Sequence, residues 1–186
     1  MLEKLLQWDR DTFIYLNNLG IEDYDQFWLV LTKFGTWAPL FITIIMLLFW
    51  KFGRKEGFWM ILSYISMLII LSITITAVKE GVGRLRPNND EAINLLIRIV
   101  HQPSSFSFFS GHAASSFSIA TLAVLFLRKK FKWINLIWIF PLLFSFSRIY
   151  LGVHYPLDIM AGALVGVIFA WIFYRMHQKL RAPYIM

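Results

Sequence analysis

Residues 57–78 read GFWMILSYISMLIILSITITAV, 22 positions without a single charge. A helix crossing a bilayer needs about 20 apolar residues, within a range of about 17–25, so this run is a membrane span. The rest of the 186-residue chain agrees: 58% of it is hydrophobic and 18% aromatic, too apolar for an ordinary soluble domain. Four more apolar runs flank it, at 27–50 (with Lys33 in its outer part), 113–127, 133–147 and 157–174. The third and fourth runs in chain order hold only 15 uncharged residues each, about 22 Å of helix. They are either one hairpin that enters without crossing, or full spans whose polar ends sink into a protein-lined crevice. The second reading is preferred, because those polar ends carry the chemistry described below.

The expected fold is therefore all-α, a polytopic membrane helix bundle of about five transmembrane helices in one domain, 1–186. Residues 27–174 form its membrane core. Leu2, Leu5, Leu6, Trp8, Phe13, Ile14 and Leu16 make a rough helical stripe, which predicts an amphipathic surface helix within residues 1–25. Simple packing is at least as good a role for it as substrate gating. The pattern of a cleavable signal peptide is not seen in the first twenty residues, which carry acids. The outer loop 80–109 is the longest connection and is expected to hold a short helix around 91–100. No repeats are visible.

Orientation follows from basic residues in the short loops. Lys51, Arg54, Lys55, Arg128, Lys129, Lys130, Lys132, Arg175, Lys179 and Arg181 all fall on one side of a five-span bundle, accompanied only by Glu56. The positive-inside rule makes that side cytoplasmic, with the N-terminus out and the C-terminus in. The protein is thus expected in the cell's inner (plasma) membrane. The net charge of +7 is a topology signal, and nucleic acid is not the expected partner. With no cysteine in the chain, disulfides and thiolate metal sites are excluded.

Three polar strings end apolar runs, and all three land on the outer face. Lys79 is followed, after six residues, by Arg86-Pro87. Arg matches phosphoryl oxygens bidentately and Lys adds a mobile charge, although a pair of snorkelling interfacial cations would look the same. Ser110-Gly111-His112 reads as a helix start, with Ser as N-cap, free amides suited to phosphate and a histidine able to exchange protons. Taken alone, a capped helix with a histidine at the membrane interface explains it better. In the third string, Ser147-Arg148 precedes His154, and Asp158 follows four residues later. A carboxylate one turn from an imidazole can take its Nδ1 proton and leave Nε2 free to attack. Jointly the strings supply anion binding, a nucleophile with its orienting acid and a second histidine for proton transfer. No carboxylate cluster suited to a metal accompanies them.

The strings resemble those of the type 2 phosphatidic acid phosphatase superfamily, which includes glucose-6-phosphatase and the vanadium haloperoxidases. Its pattern is Lys, six residues, Arg-Pro; Pro-Ser-Gly-His; and Ser-Arg, five residues, His, three residues, Asp. The first and third strings match in full, and Phe109 stands where the family usually has Pro. The resemblance covers about residues 27–174. It implies that His154 is the nucleophile and forms a phosphohistidine, that Asp158 orients it, and that His112 protonates the leaving oxygen and then activates water. It further implies that Lys79, Arg86 and Arg148 bind phosphoryl oxygens, with Ser110 and the Gly111 amide helping, and that neither metal nor cofactor is used.

The expected activity is hydrolysis of a lipid phosphate or diphosphate at the outer leaflet, with undecaprenyl diphosphate first among substrates. Phosphatidylglycerol phosphate, phosphatidic acid and lipid A are the alternatives. A phosphotransferase using the same intermediate would pass the group to an acceptor other than water. A non-catalytic lipid binder would keep the cations and need neither histidine. The motifs read phosphate and leave the oligomeric state open.

Overall fold

The computed structural model describes residues 1–181, and the described residues are helical with no strand. Six α-helices carry the fold: α1 (Leu2–Asn18), α2 (Asp25–Leu31), α3 (Ala38–Val82), α4 (Gly111–Leu127), α5 (Ile139–Tyr150) and α6 (Pro156–Arg181). Unbroken, the 45 residues of α3 would form a rod about 67 Å long. It is broken at Gly53, whose φ of 76° lies in the left-handed region. Phe49 packs against Gly57, a residue that a straight helix would carry about 12 Å away. The chain therefore reverses at Gly53, and its arms, 38–52 and 54–82, correspond to the first two apolar runs.

By length and composition, three helical stretches suit a membrane crossing: 34–89, which contains both arms, 132–150 and 156–181. The short runs are longer in space than their residue counts suggest. The fourth starts as a 3-10 helix over Lys132–Trp138 and continues as α5. At about 2.0 Å per residue for the first part, the two together extend about 32 Å. The third, α4, adds Gly111 and His112 to the expected start and spans about 26 Å.

α4 lies at the centre and packs most closely on α6. A Cβ added at Gly162 would sit 2.5 Å from the Ser110 carbonyl oxygen, and one at Gly166 would sit 2.3 Å from that of Ala114. Small residues four apart on one helix let another backbone approach it in this way. The main core fills the space between α3, α4, α5 and α6, with Leu48, Met67, Leu122, Leu127, Phe140 and Phe144 fully or almost fully buried. Ile42, Ile45, Ile65, Ile69, Ile70 and Ile73 of α3 point outward and are 40–64% exposed, as a lipid-facing surface requires.

Two expectations need correction. The first run is not one helix from residue 27: α2 stops at Leu31, a 3-10 turn covers Phe34–Trp37, and α3 starts at Ala38 with Pro39 in its first turn. Thr36 Oγ1 and Trp37 Nε1 donate to the carbonyls of Val30 and Leu31, which closes off α2. The outer loop has no helix over 91–100, only 3-10 turns at Pro87–Asn89 and Asn94–Leu96. Its backbone is claimed elsewhere, since the Arg98 amide donates to Asn17 Oδ1 and those of Val100 and His101 donate to the Leu151 carbonyl. The surface helix α1 forms as expected, with its leucines facing outward. Leu2, Leu5, Leu6 and Trp8 are 40–67% exposed, whereas Asp9, Phe13 and Asn17 are fully buried.

Candidate active site

Four helix ends meet where the three strings come together. Lys79 lies in the last turn of α3 and Arg148 in the last turn of α5. His112 lies in the first turn of α4 and Asp158 in the first turn of α6. Ser110 caps α4 as expected, its hydroxyl accepting from the Ala113 amide at 3.4 Å. Its own amide donates to the Asp158 carbonyl at 2.9 Å, which ties the starts of α4 and α6 together.

His154 is 1% exposed, in the turn between α5 and α6. Arg86 Nη1 lies 3.0 Å from its Nε2. A guanidinium has only hydrogens to offer, so Nε2 presents its lone pair and the ring proton sits on Nδ1. Nδ1 lies 3.4 Å from both Asp158 Oδ2 and Ser107 Oγ. Burial, followed by the nearby charges of Arg86, Arg148, Lys79 and Arg84, holds this imidazole well below the usual histidine range. It is neutral with Nε2 free, the form a nucleophile needs.

The Asp158 carboxylate is saturated. Oδ1 takes Arg84 Nη1 at 2.7 Å, and Oδ2 accepts the Tyr155 amide at 3.0 Å and the Ser107 hydroxyl. Arg84 and Ser107 were not singled out as site residues in the sequence. Arg84 and Arg98 lie on the side opposite the ten loop cations and so run against the positive-inside rule. Both are explained by acids: Arg84 pairs with Asp9 and Asp158, and Arg98 pairs with Asp25.

Lys79, Arg86 and Arg148 behave differently, since among the described residues none of them forms an ion pair. Lys79 Nζ donates to the Phe106 carbonyl at 2.8 Å. Arg86 donates to Ser105 Oγ and to the carbonyls of Ser105 and Val153. Arg148 Nη1 donates to Thr32 Oγ1 at 2.8 Å, while its buried Nε has no partner. Arg86 and Arg148 are each only 4% exposed. Three partly or fully buried cations held by neutral oxygens lie close together, a cluster suited to an anion of high charge.

His112 stacks on Phe144 at 4.8 Å and lies 5.7 Å from the Phe34 ring, within electrostatic reach of His154, Arg148 and Arg86. Gly111 has only Ile75 near the place of a Cβ, at 3.4 Å. Phe109 is buried with Leu71 and Ala114. Among the described residues, no group of three or more His, Asp or Glu side chains is arranged to hold a metal ion.

Residues 60–182 match the family model of the PAP2 superfamily. The chain belongs to the PAP2 superfamily. Among its PAP2 relatives, a lipid A 4'-phosphatase of Bacteroides thetaiotaomicron is 34% identical, over 98% of this chain and 82% of that protein. An undecaprenyl-diphosphatase of Sulfolobus acidocaldarius is 30% identical, over 91% of this chain and 77% of that one. A crystal structure of a transmembrane PAP2-type phosphatidylglycerolphosphate phosphatase from Bacillus subtilis superposes with a TM-score of 0.73. It covers 96% of this chain and 89% of its own at 20% identity, and it shares the fold. The protein is thus a PAP2 phosphatase of the membrane that acts on lipid phosphates. The PAP2 match starts at residue 60, so α1, α2 and the first arm of α3 lie outside it.

Proposed function

We propose that this phosphatase works through a phosphohistidine on His154. The lone pair of Nε2 forms the N–P bond as the P–O bond to the leaving group breaks. The imidazole becomes cationic, and Asp158 stabilises it through the Nδ1 proton. His112 gives the departing oxygen a proton, then takes one from the water that cleaves the N–P bond. Lys79, Arg86 and Arg148 neutralise the phosphoryl oxygens, with Ser110 and the Gly111 amide at the start of α4. The observation that carries this reading is the 3.0 Å contact of Arg86 with Nε2, which requires the nucleophilic tautomer.

The site faces the outer leaflet, so a lipid can keep its tail in the bilayer while its phosphate enters the cationic pocket. For the substrate, the relatives support a phosphate on lipid A first and undecaprenyl diphosphate second. The lipid A 4'-phosphatase aligns over 98% of this chain and the undecaprenyl-diphosphatase over 91%. Phosphate release from purified lipid A, undecaprenyl diphosphate, phosphatidylglycerol phosphate and phosphatidic acid tests both points, with His154→Gln as control. We expect release from the first two and almost none from the control. Wild-type-like release by His154→Gln would end the mechanism, and release from phosphatidic acid alone would end the substrate assignment.

A further inference from the structure

The buried stripe of α1 is not apolar. Asp9, Phe13 and Asn17, four residues apart, lie on one face and are fully buried. Burying a carboxylate and an amide is costly unless both are fully bonded, and here both are. Asn17 Nδ2 donates to the carbonyls of Arg98, Ile149 and Tyr150, and its Oδ1 accepts the Arg98 amide. It thereby caps the end of α5, at the two residues that follow Arg148. Phe13 meets the edge of Tyr155, the neighbour of His154, at 5.3 Å. Asp9 reaches furthest: Oδ1 accepts the Leu157 amide at 2.8 Å, one residue before Asp158, and Oδ2 takes Arg84 Nη2 at 2.6 Å. The same guanidinium gives Nη1 to Asp158 at 2.7 Å and lies with Cζ 4.0 Å from the centroid of the Tyr155 ring.

We infer that Asp9 is a positioning residue for the phosphatase reaction, acting through Arg84 on Asp158, so that α1 belongs to the catalytic assembly. One planar fork bridges two buried carboxylates, and its orientation is fixed only if both are present. Without Asp9, Arg84 keeps only Asp158 and the Tyr155 ring as anchors, and the carboxylate behind His154 has a less firmly placed counter-charge. The phosphate-binding cations are untouched by this loss. The effect therefore falls on the chemical step and spares binding. The inference rests on the proposed role of Asp158 behind His154.

The test uses the full chain, purified in detergent, with an aryl phosphate and with the preferred lipid. Asp9→Asn keeps the size of the side chain and removes its charge. We expect kcat to fall on the order of 10-fold, as for outer partners that orient a functional histidine, with KM within about 3-fold of wild type. Arg84→Lys reaches only one carboxylate and should show the same split, and it carries the test alone if Asp9→Asn does not fold. Asp9→Glu should restore part of kcat. In the Asp158→Asn background, Asp9→Asn should cost no further activity, whereas in the Lys79→Ala background its loss should multiply in full. Unchanged kcat in both single variants, or an equal further loss in both backgrounds, would overturn the link. Wild-type activity of Asp158→Asn itself would instead overturn the proposed mechanism.

Discussion

Arg86 donates to Nε2 of His154 across 3.0 Å, so the atom that attacks phosphorus in the proposed mechanism is covered by one of the proposed phosphate-binding cations. The contact selects the ring tautomer. In that mechanism an entering phosphoryl group takes over the guanidinium and frees the lone pair in the same movement. His154 is also held neutral by burial and by the cations around it.

That neutrality has a cost at low pH. The folded-state pKa of His154 lies below its unfolded value of about 6.5, so below that pH the unfolded chain binds more protons. Stability from this group is present above about pH 6.5 and falls as pH drops, by up to about 1.4 kcal/mol per unit. Thermal unfolding at pH 7.5 and pH 5.5 should show wild type losing more than His154→Gln. Equal losses would mean that the buried ring is already protonated.

His112 should matter most where the leaving group is poor. A lipid alkoxide needs a proton as it departs, and an activated phenolate does not. His112→Ala should lose about 10²–10⁴-fold on a lipid monoester and far less on an aryl phosphate. Equal losses on both would remove His112 from proton transfer.

The approach of α4 to α6 is set by backbone atoms that cannot move aside cheaply. Gly166→Ala puts its Cβ 2.3 Å from the Ala114 carbonyl oxygen and should cost about 1–3 kcal/mol. Gly81→Ala, with nothing within 4 Å, should be neutral or slightly stabilising. Denaturation midpoints in detergent compare the two, and matching values would show that the two helices are not locked.

The orientation can be read with single cysteines, since the chain has none of its own. Asn89 and Lys129 are both exposed, the first in the loop beside the site and the second after α4. Asn89→Cys should react with a membrane-impermeant thiol reagent in intact cells, and Lys129→Cys should not. Gly53 is a poorer choice for the inner probe, because its positive φ strains any side chain. The reverse pattern would place the site on the inner leaflet.

What was legible in the sequence followed from local spacing. His154 and Asp158 are four residues apart, and Ser110 stands where a helix must be capped, so both relations are local in the chain. The break between the first two apolar runs was readable for the same reason. Asp9, Arg84 and Ser107 were not, because their partners lie 75, 74 and 51 positions away and no periodicity connects them. The helix expected over 91–100 failed because tertiary bonds to Asn17 and Leu151 claimed the backbone that a local pattern would have used. The α1 stripe gave the surface helix through its leucines, but not the opposite face, where Asp9 and Asn17 bind the protein.

The site takes one group from the terminal turn of each of four helices, cations where α3 and α5 end, His112 and Asp158 where α4 and α6 begin. The peptide dipoles favour the cations at the ends of α3 and α5 and the carboxylate at the start of α6, since a helix end attracts positive charge and a helix start attracts negative charge. This makes the catalytic centre a matter of phase. One residue inserted within any of these helices would swing its terminal turn by about 100° and carry its group out of the pocket. Insertions at the far ends, around Gly53 or between Leu127 and Lys132, leave that phase intact. The chain can therefore vary its length freely at one membrane face and hardly at all between there and the other.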